Sequence, residues 1–359
     1  MLLKDILQLK YGRNQAEVAD SNGKYPIYGT GGVMGYANDF LYNKPSILFG
    51  RKGSISKVQF VDKPFWCVDT TFYSIIDESK VIPKYLFYKF ENIDFSVFDE
   101  GTTIPSLRTE TLNKLNFSID SMELQQHIVD TIGSVDNLIE KYEEILEKTE
   151  ELLQQKYNAL IINNELKNVQ VKSLPLTITD FVANGSFKDL KDNTEISDDE
   201  SYAYFIRNTD LKEDSFNKYV SEATYKFLKK SSLKGHEIII SNVGDVGSVF
   251  LCPILDKPMT LGNNLILITN KNTEENYYLF FLFKSKLGQY LLDGITSGSA
   301  QQKFNKTDLR NLEIPMLNDF ALRKFNNYCS VVYNNHDKIQ NKINLLQQIK
   351  NNLLKKYFG

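Results

Sequence analysis

Two long stretches of the chain carry apolar residues at an alternating spacing of four and three. In the first stretch the repeat consists of Ile128, Ile132, Val135, Ile139, Tyr142, Leu146, Thr149 and Leu153. About 200 residues later the same spacing returns with Val332, Asn335, Ile339, Lys342, Leu346, Ile349 and Leu353, of which Asn335 and Lys342 are polar interruptions. Proline is absent from both stretches, as an unbroken helix requires. This heptad pattern predicts two long helices of a coiled coil.

The two predicted helices carry opposite charges. The first has six glutamates between Glu140 and Glu151, and the second has five lysines and no acid from Lys338 onwards. Either apolar seam alone would leave a stripe in water, and opposite charges beside the seams favour pairing of these helices with each other. The alternative is two unrelated helices with solvated charged faces. We expect an antiparallel coiled coil, which would place the two remaining parts of the chain at opposite ends of a rod.

The segments that precede the two helices resemble each other. Residues 46–58 read as an apolar strand, a glycine-bearing turn and a second apolar strand, and residues 237–249 repeat that order. Further matches follow in the same order: Asp62-Lys63-Pro64 with Asp256-Lys257-Pro258, Tyr85–Tyr88 with Tyr278–Phe281, and Gly101-Thr102-Thr103 with Gly298-Ser299-Ala300. Matches in constant order at a separation of about 190–200 residues indicate an internal duplication.

The duplication and the helices together predict an α+β chain with internal pseudo-two-fold symmetry. A length of 359 residues also favours more than one core. Each globular part mixes short strands with a few helices, which we place at 81–92 and 275–293 among others. The expected order is a first globular domain at 1–118, a first helix at 119–165, a second globular domain at 166–316 and a second helix at 317–359.

Composition and charge narrow the class of protein. Hydrophobic residues make up 42% and charged residues 24% of the chain, as in ordinary soluble proteins. No apolar run is long enough for a membrane helix, and the first residues lack the features of a signal peptide. The three cysteines are far apart, which fits a reducing cytoplasm. A net charge of −3 shows no overall excess of basic residues, yet a local basic patch would suffice for DNA binding.

The motifs of the common enzyme classes do not occur in the sequence. Gly29–Gly35 approaches a dinucleotide-binding loop, but Met34 stands where the third glycine belongs, and a structural turn is the favoured interpretation. There is no P-loop and no Asp-Pro-Pro-Tyr motif of amino-methyltransferases. His127, His236 and His336 do not cluster along the chain, and the paired glutamates of the first helix fit a solvated face. We therefore predict no catalytic site and no metal site.

Polar and basic loops recur in both halves and favour nucleic-acid recognition. The turn Gly50–Ser54 combines Arg51 and Lys52 with main-chain amides, a set suited to phosphate or to a guanine edge. Residues 297–303 are rich in donors that can read adenine or bind phosphate. Two similar readers joined by rigid helices suit DNA with two separated half-sites. For any single loop, a plain turn without a ligand remains the alternative.

The chain resembles the DNA-specificity subunit of type I restriction–modification systems over essentially its whole length. The resemblance rests on Tyr25–Tyr36, Arg51–Ile55, Ile104–Leu107 and, at the entry to the first helix, Met122–Val129. The second half departs from this pattern. It has Phe320–Phe325 at the helix entry, where a glutamine pair would be typical, and Gln301–Phe304 in place of the Ile-Pro-Ser-Leu stretch.

This resemblance implies that each globular domain is a target recognition domain for one half of a split double-stranded DNA sequence. The paired helices would set the spacing and dock two methyltransferase subunits, which restriction and translocase subunits would join. S-adenosylmethionine, ATP and Mg²⁺ would belong to those partners, and this chain would hold no cofactor. The alternatives are a specificity subunit of a different defence system, a coiled-coil scaffold joining two protein-binding domains without DNA, and an enzyme with an unrecognised site.

The predicted DNA-binding residues lie in loops of both halves. In the first half they are Thr30, Gly31, Gly32, Tyr36, Arg51, Lys52, Ser54, Thr70, Thr102, Thr103 and Arg108. In the second half they are Arg207, Asn208, Asn242, Asn263, Ser297, Ser299, Gln301, Gln302 and Lys303. The apolar heptad residues of the two helices are the predicted pairing and partner-docking positions.

Overall fold

The chain divides into two compact units, each of which contains parts of both long helices. The computed structural model describes residues 1–270, 277–298 and 301–359. Unit 1 consists of Met1–Glu143 and Asn341–Gly359, and unit 2 consists of Glu144–Gln340. The division therefore falls inside the long helices, whereas the sequence led us to place the domain boundaries at their ends.

Unit 1 contains a four-stranded and a three-stranded sheet. Its strands are β1 Leu7–Tyr11, β2 Tyr25–Gly29, β3 Gly32–Ala37, β4 Ser46–Gly50, β5 Val58–Val61, β6 Trp66–Cys67 and β7 Thr71–Ile76. Its helices are α1 Pro83–Glu91, α2 Thr109–Leu112 and the first part of α3 Met122–Ile162, together with the last part of the second long helix, Asp319–Phe358. The larger sheet has the antiparallel order β1-β7-β4-β5, and the smaller, β3-β2-β6, pairs β2 with β6 in parallel.

Unit 2 contains the later strands and the remaining helices. The strands are β8 Lys167–Gln170, β9 Leu176–Asp180, β10 Ala203–Ile206, β11 Tyr219–Val220, β12 Ser232–Leu233, β13 Ile238–Ser241, β14 Val249–Leu251, β15 Met259–Leu261, β16 Leu265–Asn270 and β17 Glu313–Met316. The helices are α4 Phe187–Asn193, α5 Asn208–Glu213, α6 Glu222–Phe227, α7 Tyr277–Lys284, α8 Lys286–Ile295, α9 Lys306–Asn311 and the first part of α10, which is the helix Asp319–Phe358.

The two units share one strand topology. The antiparallel order β9-β16-β13-β14 of unit 2 corresponds strand for strand to β1-β7-β4-β5 of unit 1. The parallel pair β10 and β15 likewise corresponds to β2 and β6. The predicted α+β class and internal duplication are confirmed.

In unit 1 the helical seam is part of the globular core. Ile128 and Ile132 of α3 lie in the same buried cluster as Tyr85 and Tyr88 of α1 and Leu354 of α10. The next seam positions, Val135 and Ile139, are also buried, and Tyr142 is half-buried. The apolar stripe of α3 therefore joins the helix to its globule as well as to the neighbouring helix, which explains why the compact unit includes helical segments.

Within unit 1, α3 and α10 run in opposite directions. Lys350 forms an ion pair with Asp136 at 3.0 Å, and further along α3 the Lys342 ammonium lies 5.5 Å from the centre of the Tyr142 ring. Residues further along α3 thus contact residues earlier in α10, as predicted for antiparallel helices. The acidic partner of Lys350 on α3 is Asp136, which precedes the glutamate-rich stretch.

Within unit 2 the two helices are again antiparallel. The Tyr333 hydroxyl donates to Glu150 at 3.0 Å, and the Tyr157 ring lies 6.2 Å from that of Phe325. Leu153 is buried in the core of this unit with Tyr157. Further heptad residues line a groove of about 240 Å³ in unit 2: Leu146, Thr149, Leu153, Val332, Asn335 and Ile339.

Near the end of α10 the predicted register is wrong for Ile349. Ile349 is 40% exposed, whereas Ile343 and Leu354 are buried, and the predicted seam residues Leu346 and Leu353 are half-buried. The Lys350 ammonium forms ion pairs with carboxylates of unit 1, so position 350 faces the interior of that unit. Consecutive positions of a helix lie about 100° apart around its axis, so position 349 faces the solvent. A fixed offset of 200 residues from the first helix could not reveal this rotation.

The predicted helix 275–293 consists of two helices. Residues 275 and 276 lie outside the described residues, α7 begins at Tyr277, and Ser285 separates it from α8. The Ser285 hydroxyl accepts a hydrogen bond from the Gly288 amide at 3.2 Å and so caps α8. A side chain on Gly288 would come within 1.9 Å of the Leu282 carbonyl oxygen, so this close approach of α7 and α8 requires glycine.

The predicted helix 81–92 forms as α1. It begins at Pro83, because proline at the first helical position has a suitable φ and loses no hydrogen bond. None of the helices in the described part of the chain combines the length and apolar character needed to cross a membrane.

Candidate nucleic-acid interface

In unit 1, main-chain hydrogen bonds bring three predicted segments together. The Arg51 amide donates to the Thr70 carbonyl at 2.8 Å, and the Gly53 amide donates to the Pro105 carbonyl at 2.9 Å. The Leu107 amide returns a bond to the Arg51 carbonyl at 3.0 Å. Gly53 has a φ of +93°, which side chains disfavour, so the tight turn after β4 requires glycine here. Residues distant in sequence thus form one surface.

Unit 2 repeats these hydrogen bonds at the equivalent positions. The Asn242 amide donates to the Asn264 carbonyl at 3.0 Å, and the Gly244 amide donates to the Gln302 carbonyl at 3.1 Å. The Phe304 amide donates to the Asn242 carbonyl at 3.2 Å, and Gly244 has a φ of +79°. The stretch 301–304 therefore occupies the place that Ile104–Leu107 has in unit 1, although the two share no residue type.

The side chains on the turn of unit 1 differ in burial and in their contacts. Arg51 is half-buried, because its Nη1 donates to the Asp69 carbonyl at 2.7 Å and its guanidinium lies 5.3 Å from the centre of the Tyr11 ring. Lys52 and Ser54 are exposed on the same turn. Sequence reasoning missed Tyr11, because a tyrosine at the end of a strand gives no sign of a cation over its ring.

The glycine-rich motif forms the β2–β3 hairpin next to this turn. Thr30–Gly32 and Thr70 line a shallow concavity of about 520 Å³. Gln59 on β5 supports the hairpin, since its Nε2 donates to main-chain carbonyls of the hairpin at 2.9 and 3.3 Å. Tyr36 lies further along β3 and is not among the residues that line this concavity.

A second loop of unit 1 carries Thr102 and Thr103, which are both exposed. Asp99 closes this loop, because its Oδ1 accepts hydrogen bonds from the Ser106 and Gly101 amides at 2.7 Å each. These amide bonds lower the pKa of Asp99. Asp99 was not predicted, although an aspartate two residues before a glycine is a known turn signal. Arg108 is exposed and lies 3.2 Å from a carboxylate oxygen of Glu100.

In unit 2 a small loop presents several predicted residues. The main chains of Ser297 and Lys303 exchange hydrogen bonds of 2.9 and 2.8 Å, which close the loop that carries Gln301 and Gln302. All four of these residues are exposed. The predicted residue Ser299 lies outside the described residues.

Asn242 and Asn263 lie where the turn after β13 meets the segment before β16. The Nδ2 group of Asn242 donates to the Phe304 carbonyl at 3.0 Å, and the side chain is half-buried. Asn263 is exposed and precedes Asn264, which has a φ of +63°.

Asp245 organises the turn of unit 2 and holds the predicted residue Asn208. It accepts hydrogen bonds from Asn208 Nδ2 at 3.0 Å and Ser248 Oγ at 2.7 Å, and it pairs with Lys212 at 2.7 Å. The Lys212 ammonium, Asn208 and Ser248 together lower the pKa of Asp245 to about 2. The amide of Asn208 is thus engaged inside the protein on its nitrogen side.

We expect Asp245→Asn to lower the melting temperature of unit 2 at neutral pH. The difference in melting temperature between the variant and the wild type should depend on pH. A folded pKa below the unfolded value means that the stabilisation is present above about pH 4 and is lost as the pH falls towards 2. Melting curves between pH 7 and pH 3 would measure the narrowing difference. Asp293→Asn, at an exposed position of α8, is the matched control, and a difference independent of pH would contradict the assignment.

Arg207, a predicted DNA-binding residue, forms hydrogen bonds within the protein to Asp210. Its Nε donates to both carboxylate oxygens of Asp210 at 3.1 and 3.0 Å, and its main-chain amide donates to the same carboxylate at 2.8 Å. Asp210 is 2% exposed, so it needs this compensation. The sequence placed Arg207 next to Asn208 but could not show that the guanidinium pairs with the buried Asp210 carboxylate in the first turn of α5.

We expect Arg207→Ala to lower the free energy of unfolding of unit 2 by about 1.5–3 kcal/mol, since a buried carboxylate loses its charged donors. DNA affinity measured well below the melting temperature should then change little. The control is Lys303→Ala, which removes an exposed cation and should leave stability unchanged. Unaltered stability of Arg207→Ala with reduced DNA affinity would instead make Arg207 a direct contact.

Comparison with known proteins gives one consistent family. The sequence model described as "Type I restriction modification DNA specificity domain" matches residues 1–151 and again residues 175–316. A curated relative, the type I restriction enzyme MjaIX specificity subunit of Methanocaldococcus jannaschii, is 24% identical over 341 residues, which cover 88% of this chain and 77% of the relative.

A solved structure supports the fold. The S subunit of a type I restriction–modification system from M. genitalium superimposes with a TM-score of 0.62 at 18% identity, covering 100% of this chain and 95% of that one. The family model accounts for most of the residues in both halves, and the topology of the two units agrees with its double occurrence. The chain belongs to the type I restriction–modification DNA specificity family and carries that family's domain twice.

Proposed function

We propose that each unit recognises one half of a bipartite double-stranded DNA sequence. The observation that carries this proposal is one main-chain scaffold with different side chains in the two units. Arg51 and Lys52 of unit 1 correspond to Asn242 and Val243 of unit 2, while the amide and carbonyl of Arg51 make the same hydrogen bonds as those of Asn242. A conserved scaffold with different polar groups is what two readers of different half-sites require.

The long helices are proposed to fix the spacing of the half-sites and to dock two methyltransferase subunits. Most of their apolar seam residues are buried or half-buried within the units. Apolar residues also remain exposed, such as a stripe in unit 2 that contains Ile145 and Leu152, seven residues apart. Such a stripe on a helix suits a protein partner. Restriction and translocase subunits would join this core, and the whole complex would act on DNA in the cytoplasm.

We further propose that this chain is not itself an enzyme. S-adenosylmethionine, ATP and Mg²⁺ would be bound by the partner subunits, and this chain would contribute recognition and assembly. Asp99 and Asp245 are engaged in holding loops, which fits a recognition role.

The decisive experiment is a single-molecule methylome of the host with and without the gene. Loss of adenine methylation at one split motif would support the proposal and would identify both half-sites. Unchanged methylation, together with no methyltransferase in a pull-down of the tagged chain, would contradict it and favour a scaffold without DNA. DNA binding by the assembled complex should also weaken steeply with salt, because phosphate contacts release counterions.

A further inference from the structure

Arg51 and Asn242 occupy the same position in the two units. Each directly follows the equivalent inner strand of its four-stranded antiparallel sheet, β4 or β13. The main-chain amide of each donates to the residue directly before the adjacent inner strand, β7 or β16. The main-chain carbonyl of each accepts a hydrogen bond from the later stretch at 104–107 or 301–304. A glycine with positive φ stands two residues later in both, so the main-chain path is equivalent.

Both side chains are anchored by one hydrogen bond to a main-chain carbonyl. In unit 1, Arg51 Nη1 donates to Asp69 at 2.7 Å, and in unit 2, Asn242 Nδ2 donates to Phe304 at 3.0 Å. Both side chains are half-buried at the surface, and Tyr11 supports the Arg51 guanidinium. An anchored side chain loses little rotamer freedom on binding, so these two groups are pre-organised for directional contacts.

The remaining hydrogen-bonding groups differ in a way that matches two different bases. A guanidinium has five N–H donors, and one bond to a carbonyl leaves enough for a bidentate contact with the O6 and N7 acceptors of guanine. An asparagine amide with one N–H engaged retains a second N–H and its oxygen, the pair that reads N7 and N6 of adenine.

Lys52, next to Arg51, has a different character. Its side chain is exposed on the turn, and the corresponding residue of unit 2 is Val243. A mobile ammonium binds phosphate as a point charge and carries little base information. Arg51 and Lys52 therefore offer two functions on adjacent positions, and Lys52 has no cationic counterpart in the turn of unit 2.

We propose that the residue directly after β4 or β13 is the base-reading position of each unit. Arg51 takes a guanine in one half-site, Asn242 takes an adenine in the other, and Lys52 holds a phosphate next to that guanine. This inference rests on the proposed function, because it assigns bases to a DNA interface that the proposed function supplies.

The test uses the full chain assembled with its methyltransferase subunits. The DNA duplex contains the split motif that the methylome identifies. Each guanine of the motif is replaced in turn by 7-deazaguanine, which lacks the N7 acceptor. At one guanine the replacement should weaken wild-type binding by about 5- to 150-fold, the range of one bidentate contact. Arg51→Ala should bind the modified and the unmodified duplex equally. Arg51→Lys should keep only part of the difference, because an ammonium can still donate to N7 but lacks the planar bidentate fork.

Lys52→Ala is the matched control on the neighbouring position. It should weaken binding to both duplexes equally and should reduce the slope of log affinity against log salt by about 0.9, the value for one phosphate. The same design with 7-deazaadenine and Asn242→Ala tests unit 2. Melting curves of each variant confirm that the units remain folded.

The outcomes separate this inference from the proposed function. An undiminished 7-deazaguanine effect in Arg51→Ala, or a motif without guanine in either half, would overturn the assignment while leaving DNA recognition intact. A wild-type complex that binds scrambled DNA as well as the motif would instead contradict the proposed function itself.

Discussion

Replacing Lys350 with methionine should lower the free energy of unfolding of unit 1 by about 3–5 kcal/mol. The Lys350 ammonium lies 2.9 Å from a Glu91 oxygen and 3.0 Å from an Asp136 oxygen. Its side chain is 17% exposed and that of Asp136 is 13% exposed, so removing the cation leaves a poorly hydrated Asp136 carboxylate close to Glu91, which is 31% exposed. Lys84, 3.7 Å from Asp136, remains as weaker compensation and favours the lower end of this range.

The chain's single tryptophan, Trp66, lies buried in unit 1, so its fluorescence during denaturant unfolding reports on that unit. Lys355→Met, at an exposed position of the same helix, is the matched control and should change the free energy by no more than about 0.5 kcal/mol. Adding Glu91→Gln and Asp136→Asn to Lys350→Met should restore part of the loss. A Lys350→Met variant as stable as the wild type would show that the ion cluster contributes nothing to α10 docking.

Placing proline at Ile139 should destabilise α3 by about 3 kcal/mol or more and impair assembly with the methyltransferase subunits. Ile139 is buried in the middle of the helix, where proline removes one hydrogen bond and clashes with the carbonyl of the preceding turn. Melting curves measure the first effect, and size-exclusion chromatography of the mixed subunits measures the second.

Two controls isolate the effect of the broken helix. Met122→Pro places proline at the first position of α3, where it is tolerated, and should leave assembly intact. Ile139→Ala removes the side chain without breaking the helix. Full assembly of the Ile139→Pro complex would contradict the proposed role of the helices in spacing and docking.

The parts of the fold that sequence could predict are those with a local physical cause. A proline-free heptad stretch gave a helix within 119–165, observed as Met122–Ile162, and the glycines at 53 and 244 marked turns that side chains disfavour. The duplication could be recognised because strand and turn patterns recur in the same order. These features depend on short stretches of chain, so the pattern of residues suffices to find them.

The features that sequence could not predict depend on contacts between distant residues. The rotation of α10 follows from the ion pairs of Lys350 with residues more than two hundred positions away, and the engagement of Arg207 follows from the burial of Asp210. The interruption at Ser285 depends on the close approach that Gly288 permits. Individual base contacts remain predictions, because they depend on the anchored geometry of side chains such as Arg51 and Asn242.

The composition of unit 1 from two separated segments also has a consequence for synthesis on the ribosome. Unit 2 is one continuous segment, Glu144–Gln340, and can close as soon as that segment has emerged. The core of unit 1 includes Leu354, which is translated after all of unit 2. Domains usually fold in the order of their synthesis. Here the N-terminal globule stays incomplete until the last turns of α10 arrive, so the domain that begins first is the one that matures last.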